Sequence, residues 1–244
     1  MSEKNPVNTS IIQKMEKEIS SVLGNSVWDA ITSGLNFNPD MCEKELSQCM
    51  YIILNRIEEY SDAPQVKEIL FNVRHGLDRS DFESEIKEFS KYNNIDLFAK
   101  HIQDNYFNQL KDCLNQKQLF SGQEIDQEVY DFLTGIEESF SGKREGNTIY
   151  ITAIPFRTKE YLHAQNNTMK RYYFCHCQFA RESILTDKVV SGVLCNCSLG
   201  FSTELWDSVL DTKLSGEVLE SVLAGGMRCR YAIKLPDDIL KKYT

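Results

Sequence analysis

The chain has 244 residues, of which 27 are Lys or Arg and 36 are Asp or Glu, so its formal net charge is −9 at pH 7. Nucleic acids and anionic membrane surfaces attract basic faces, so this acidic balance predicts a partner that is neither a nucleic acid nor a membrane. A hydrophobic content of 41% and a charged content of 26% are those of a folded globular protein and argue against extensive disorder.

The chain start and the apolar runs predict a cytoplasmic protein. Residues 1–10 are polar and contain no apolar signal core. The longest unbroken apolar run covers residues 50–54, whereas a bilayer span needs roughly 20 residues. In the reducing cytoplasm the eight cysteines are expected to be thiols that serve as metal ligands, nucleophiles or core residues.

The first half of the chain shows apolar residues at helical spacing. The predicted helices cover residues 11–23, 41–60, 64–76, 95–114 and 121–140. Acidic residues outnumber basic ones by 26 to 15 before residue 147, whereas from that residue onward there are 12 basic and 10 acidic residues. Residues 1–143 are therefore predicted to form an acidic all-helical domain.

A short polar stretch, residues 141–147 (SGKREGN), marks the predicted domain boundary. After it the pattern changes, with predicted strands at residues 148–154 and 171–175 and predicted helices at residues 178–185 and 198–210. Residues 144–244 are thus predicted to form an α+β domain that is rich in Cys and His and resembles a ligand-binding domain. The predicted fold class is α+β, with the helical N-terminal half packed against a C-terminal antiparallel-sheet domain.

The last predicted hairpin decides where one carboxylate points. If Gly225 and Gly226 form a two-residue turn, Val222 pairs with Cys229 and Glu220 pairs with Tyr231. Paired residues share one face of a sheet, so this register directs Glu220 inward, beside Cys229. A register slip of one residue would instead direct Glu220 outward.

Five of the eight cysteines lie in the last 70 residues and predict a metal site. Two Cys-x-Cys pairs and one hairpin cysteine supply thiolates, and an inward carboxylate needs a cation or a proton. The predicted metal ligands are Cys175, Cys177, Cys195, Cys197, Glu220 and Cys229. Zinc is the expected metal because thiolates are among its usual ligands. Cys42, Cys49 and Cys113 lie on apolar helical stripes and are predicted to be core residues.

A catalytic alternative uses overlapping residues. A thiolate of Cys175 or Cys177, activated by His176, would attack an electrophilic carbon, with Glu220 as general acid or base. Arg181 follows closely in the chain and would lower the pKa of a neighbouring thiol. A third interpretation is an interaction protein in which these cysteines only pack.

Several short motifs resemble known families. They are residues 197–200 (CSLG), residues 218–221 (VLES), the Gly225-Gly226 turn and residues 229–233 (CRYAI). Together they resemble the 4-vinyl-reductase-type small-molecule-binding domain, and equally the 2-aminothiazoline carboxylic acid hydrolase family. The resemblance covers roughly the last 70–100 residues. The whole chain also looks like uncharacterised clostridial-type bacterial proteins.

The resemblance implies an α+β fold with a hydrophobic ligand pocket. In sensor members of the first family, zinc is held by a cysteine before a helix, a strand glutamate and two hairpin cysteines. Cys197, Glu220 and Cys229 match three of those positions, whereas Leu223 stands at the fourth. The resemblance therefore implies zinc only if Cys195, Cys175 or Cys177 supplies the missing ligand.

The sequence thus predicts a cytoplasmic protein that binds a small molecule and carries a thiolate-rich metal site. The alternative is a cysteine-dependent hydrolase acting on a C–N or C–S bond of a small amino-acid-like substrate. The helical half is expected to act as a lid, a partner platform or a homodimer surface.

Overall fold

The structure, a computed structural model, describes residues 6–38 and 41–244. The helices of its first half are α1 (Pro6–Leu23), α2 (Asn25–Thr32), α3 (Glu43–Ile57), α4 (Ala63–Val73), α5 (Glu83–Tyr92), α6 (Ile95–Gln116) and α7 (Gln127–Thr134). Side-chain caps start several of them; Asp62 and Asn94, for example, accept hydrogen bonds from backbone amides of the first turns of α4 and α6. No helix within the described ranges is long and apolar enough to cross a bilayer.

The second half combines strands with short helices. They are β3 (Lys143–Glu145), β4 (Thr148–Thr152), α8 (Thr158–His163), α9 (Asn167–Phe174), α10 (Cys195–Leu210), β5 (Ser215–Glu220), β6 (Arg230–Lys234) and α11 (Asp237–Tyr243). The four strands form an antiparallel sheet in the order β3-β4-β6-β5. The predicted α+β fold class is confirmed.

Two predicted elements are wrong, the strand at residues 171–175 and the single helix at residues 121–140. Residues 171–174 belong to helix α9 and Cys175 caps its end; the helix begins where the Asn166 side chain accepts a hydrogen bond from the Met169 amide. Residues 121–140 do not form one helix, because β1 (Leu119–Phe120) and β2 (Gln123–Glu124) pair before α7 begins. Ser121 and Gly122 both have positive φ and make the tight turn between these strands.

One hydrophobic core joins the two halves of the chain. It contains buried residues from α1 to α6 and from β4, α10 and β6. Trp206 of α10 is fully buried; its ring lies edge-on to Phe98 of α6, and its indole N–H donates to the Ser141 carbonyl at 3.1 Å. The helical half therefore packs directly on α10 and the sheet. The domain boundary expected at residue 143 coincides with the start of β3 and stays a prediction.

Helices α4 and α10 approach each other unusually closely. A Cβ atom built on Gly200 would overlap the carbonyl group of Phe71 near the end of α4. Directly after α4, the residues Arg74, His75 and Gly76 all have positive φ, from 49° to 82°. Such backbone conformations cost energy in residues other than glycine, so the surrounding contacts must hold Arg74 and His75 in place. This turn places His75 against the first turns of α10.

Candidate thiol site

Three chain segments bring five cysteines into the same hydrophobic core. Cys175 and Cys177 follow helix α9, Cys195 and Cys197 lie in the first turn of α10, and Cys229 directly precedes β6. Cys177 is half-buried and the other four are buried. All eight cysteines of the chain lie within the described residues and are free thiols. We refer to these five residues as the thiol cluster.

The thiols of the cluster influence one another electrostatically. Burial is the largest cause that raises the pKa of Cys175, and charge on Cys177, Cys229 and Cys195 raises it further. Burial likewise raises the pKa of Cys177 to about 12, with a further contribution from Cys229. Burial and then Cys229 raise the pKa of Cys195. Such coupling requires that the thiols from all three segments lie in one region.

Buried hydroxyl groups line the same region. The Cys195 thiol and the Ser221 hydroxyl lie 2.9 Å apart, and the Ser221 oxygen also accepts the Leu223 amide at 3.1 Å. Ser221 thereby ties the first turn of α10 to the turn that follows β5. Tyr231 is buried, and burial first, then charge on Cys229 and Cys195, raises the pKa of its phenol.

His75 adjoins the cluster, although no motif in the sequence marks it as a site residue. Its Nε2 lies 3.2 Å from the Ser198 hydroxyl, and its ring stacks on Phe201 with centroids 4.7 Å apart. Burial, and then the charge of His176, lowers the pKa of His75 to about 4, so the ring is neutral at pH 7. The sequence signal was only a helix end followed by Arg-His-Gly, which cannot reveal a neighbour more than 100 residues away.

His176 is exposed at the edge of the cluster, whereas Arg181 near it is buried. The His176 Nε2–H donates to the Ile154 carbonyl at 2.8 Å, which leaves Nδ1 as the acceptor of a neutral ring. The protein packed around this ring, and then the Arg181 guanidinium, lower the pKa of His176. Arg181 is 9% exposed, stacks over Phe156 at 4.0 Å and forms an ion pair with Glu43. Its Nε–H has no hydrogen-bond partner among the described residues.

The predicted register of the last hairpin is wrong, because Glu220 does not pair with Tyr231. Val218 pairs with Tyr231 and Glu220 with Arg230, with an irregularity between residues 218 and 220. A loop of nine residues, 221–229, then connects β5 to β6. The Glu220 carboxylate accepts the Met227 amide at 2.9 Å and pairs with Arg228 at 2.8 Å. Burial raises its pKa, but these partners outweigh burial and lower the pKa overall.

The arrangement separates Glu220 from the other predicted site residues. Cys175, Cys177, Cys195, Cys197 and Cys229 share one region, whereas the Glu220 carboxylate is taken up by Arg228 and backbone amides. Glu220 still raises the pKa of Cys229 as a minor cause after burial. Within the described residues, no three side chains of His, Cys, Asp or Glu are already arranged around one point as metal ligands.

The pKa shifts of the cluster favour neutral thiols over an activated nucleophile. Burial raises the pKa of Cys197 to about 12, as it does for Cys177. A catalytic thiolate needs the opposite shift, which is normally produced by an adjacent cation. Arg181 does act in that direction on Cys177, but burial outweighs it. A bound metal ion would remove the thiol protons directly.

Comparison with known proteins leaves the family resemblance as a hypothesis. No family model matches the chain, and no curated protein and no solved structure matches it either.

Proposed function

We propose that this chain is a cytoplasmic small-molecule-binding protein in which the thiol cluster takes up a thiophilic metal ion, with zinc as the first candidate. The observation that carries the proposal is that five thiols from three chain segments belong to one hydrophobic core, four of them buried. Isolated core cysteines are common, but five electrically coupled thiols form a concentrated set of soft ligands.

The donor set fits a structural metal ion. Thiolates are preferred ligands of zinc, and such an ion would tie the segment after α9 to the start of α10 and to the strand β6. Cys175, Cys195 and Cys229 contribute one ligand from each segment, and Cys177 or Cys197 completes a set of four. Binding requires these side chains to rotate toward a common point and to release protons.

Arg181 is buried next to the cluster and is the group that would bind the small molecule. A buried guanidinium N–H without a partner is costly, and a carboxylate is its natural acceptor. The rings of Phe156 and Tyr172 flank the guanidinium at 4.0 and 5.5 Å and offer apolar contacts. We therefore propose a small carboxylate-bearing ligand, which is the chemical class of the amino-acid-like substrate in the hydrolase alternative.

Replacing Cys229 with serine is expected to abolish stoichiometric zinc binding. The wild-type protein should bind about one equivalent of zinc, since one closed site of four thiolates holds one ion. Because each thiol must lose its proton, the affinity should fall steeply as the pH is lowered from about 8 to about 6. Competition with a chromophoric chelator measures the affinity, and cobalt substitution reports thiolate coordination by its charge-transfer absorption.

The matched control is Cys113→Ser, because Cys113 is half-buried in the separate small core beside α6 and α7 and should not affect zinc. Less than about half an equivalent of zinc, or equal binding by both variants, would contradict the proposal. Rapid alkylation of one cluster thiol by iodoacetamide at neutral pH would instead favour the cysteine-dependent hydrolase.

Replacing Arg181 with lysine is expected to weaken carboxylate binding by about tenfold or more, because lysine keeps the charge but loses the planar N–H donors. The probe is 2-aminothiazoline carboxylate, titrated calorimetrically into the zinc-treated protein. Arg157→Lys is the control, since Arg157 is also near the Phe156 ring, at 5.0 Å, but lies outside the buried site. Equal affinities of the two variants would remove Arg181 from the ligand site.

A further inference from the structure

The first turn of α10 directs its two cysteines to different sides of the helix. Residues two apart in an α-helix are separated by about 200° around the axis. Cys195 shares its side with Leu199, four residues further on, and a Cβ atom built on Gly216 of β5 would lie 3.0 Å from Leu199 Cδ1. Cys197 shares its side with Gly200, which contacts α4. One thiol therefore points toward β5 and the other toward α4.

The immediate neighbours of the two thiols differ in the same way. The Cys195 thiol lies 2.9 Å from the hydroxyl of Ser221, the first residue of the loop that connects β5 to β6 and ends in Cys229. The Cys197 thiol instead lies beside the His75 backbone amide, which acts against the rise that burial causes in the pKa of this thiol. Cys195 thus faces the loop that carries Cys229, whereas Cys197 faces the turn after α4.

The same loop contacts the third segment of the thiol cluster. The Arg171 side chain of α9 donates from Nε to the Val222 carbonyl at 2.6 Å. Arg171 lies one helical turn before Cys175, whose backbone amide donates to the Arg171 carbonyl at 3.1 Å. The first two residues of the loop therefore hold the first turn of α10 and the end of α9 in place beside the segment of Cys229.

The Ser221 hydroxyl is oriented to donate to the Cys195 sulfur. Its oxygen accepts the Leu223 amide at 3.1 Å and the Ala224 amide at 3.4 Å. A hydroxyl group has two lone pairs and one proton, so these two amides occupy both acceptor positions. The proton is left for Cys195, and a donor at that sulfur favours the thiolate, which is the form that binds a metal ion.

We propose a set of four metal ligands that takes one cysteine, not two, from α10. The set is Cys175, Cys177, Cys195 and Cys229. Cys175 and Cys177 follow α9 in non-helical chain, where residues two apart can point to the same side. Ser221 is the positioning residue for Cys195, and Cys197 stays outside the set. The inference rests on the metal site proposed above, assigns its fourth ligand, and differs from the family resemblance, which implies Cys197.

Cobalt titration of the full-length chain distinguishes the two cysteines of α10. Cys195→Ser should remove one thiolate, so the sulfur-to-cobalt charge-transfer absorption should fall to about three quarters of the wild-type value or less. Cys197→Ser should keep the wild-type absorption and bind one equivalent of cobalt. The reverse result, or equal losses in the two variants, would overturn the ligand assignment. A wild-type chain that takes up no cobalt would instead overturn the metal site itself.

Ser221→Ala tests the positioning role by a signal that loop stability alone does not change. Without the hydroxyl donor the Cys195 sulfur holds its electrons less tightly, so the charge-transfer band of the cobalt-loaded protein should move to longer wavelength. The affinity for cobalt, measured by competition with a chelator, should fall by about tenfold to a hundredfold. Ser221→Thr keeps a hydroxyl group and should restore the position of the band.

Ser183→Ala is the matched control for the lost hydroxyl. Ser183 is also buried and also holds a loop, because it accepts the Val190 amide at 3.0 Å, but it donates to the Ala180 carbonyl rather than to a thiol. Urea unfolding of the metal-free variants measures the structural cost of each substitution. If Ser221→Ala is destabilised like Ser183→Ala but keeps the wild-type band and cobalt affinity, Ser221 is not a positioning residue.

Discussion

Replacing Arg74 with methionine is expected to lower the free energy of unfolding by about 3–5 kcal/mol, because it leaves two buried carboxylates without their cation. Arg74 pairs with Glu204 and, at 2.8 Å, with Asp207 of α10. All three side chains are no more than 12% exposed. Chemical denaturation at pH 7.5 measures the loss.

The pH dependence of this loss has a defined sign. Burial already raises the pKa of Asp207 above its usual value, although the Leu214 amide and Arg74 act against that rise. A carboxyl with a raised folded-state pKa stabilises the fold at low pH and loses that contribution as the pH rises through the folded pKa. Removing Arg74 enlarges the upward shift of the Asp207 pKa, because Arg74 acts against that rise. The deficit of the variant should therefore be smaller near about pH 5 than near about pH 7.5.

Arg79→Met is the matched control for this prediction. Arg79 pairs with Asp211 at 2.7 Å, but these side chains are 51% and 84% exposed. An exposed ion pair contributes less than about 1 kcal/mol, so this variant should be nearly as stable as the wild type. Similar losses in the two variants would show that the buried triad of Arg74, Glu204 and Asp207 does not hold α4 and α10 together.

Replacing Gly200 with alanine should destabilise the protein by about 3 kcal/mol or more, because the seam between α4 and α10 has no room for a methyl group. The added Cβ would overlap the Phe71 carbonyl, which is backbone and cannot turn away. The sign of this change in stability is diagnostic, because a glycine-to-alanine substitution inside a helix normally stabilises the protein by about 1 kcal/mol. Urea unfolding measures the change.

Ser202→Ala, two residues further along α10, serves as the control and should change stability by less than about 0.5 kcal/mol. Because the same seam positions His75 against Ser198, Gly200→Ala should also weaken the zinc binding that we propose for the thiol cluster. A Gly200→Ala variant as stable as the wild type would mean that α4 and α10 can separate at little cost, and that the turn at His75 is not held by this contact.

Most segments with a clear period were predictable, whereas the segments at residues 121–140 and 171–175 were not. The helices predicted at residues 95–114 and 198–210 and the strand at 148–154 correspond to α6, α10 and β4. The strand prediction at residues 171–175 is wrong because aromatic side chains suit a strand as well as a helix. The cap by Asn166 and the packing around α9 decided in favour of the helix.

The hairpin register shows why the position of a carboxylate cannot be derived from alternation alone. The glycine pair suggested a two-residue turn, but Ser221 binds the amides that follow it and draws the chain into a wider loop. The irregularity between residues 218 and 220 then moves Glu220 opposite Arg230. A single extra residue in a strand is enough to redirect a side chain, and nothing local in the sequence reports it.

The sequence by itself determined the α+β class, the main helices and the choice of the thiols at residues 175, 177, 195, 197 and 229 as candidate site residues. These follow from residue type and apolar periodicity along the chain. Only the tertiary structure decided that His75 joins those thiols, that Glu220 turns to Arg228, and that β5 lies at a free sheet edge. Contacts between residues far apart in the chain made these choices, since the close α4–α10 packing at Gly200 and the buried pairs of Arg74 position groups that have no local relation in sequence.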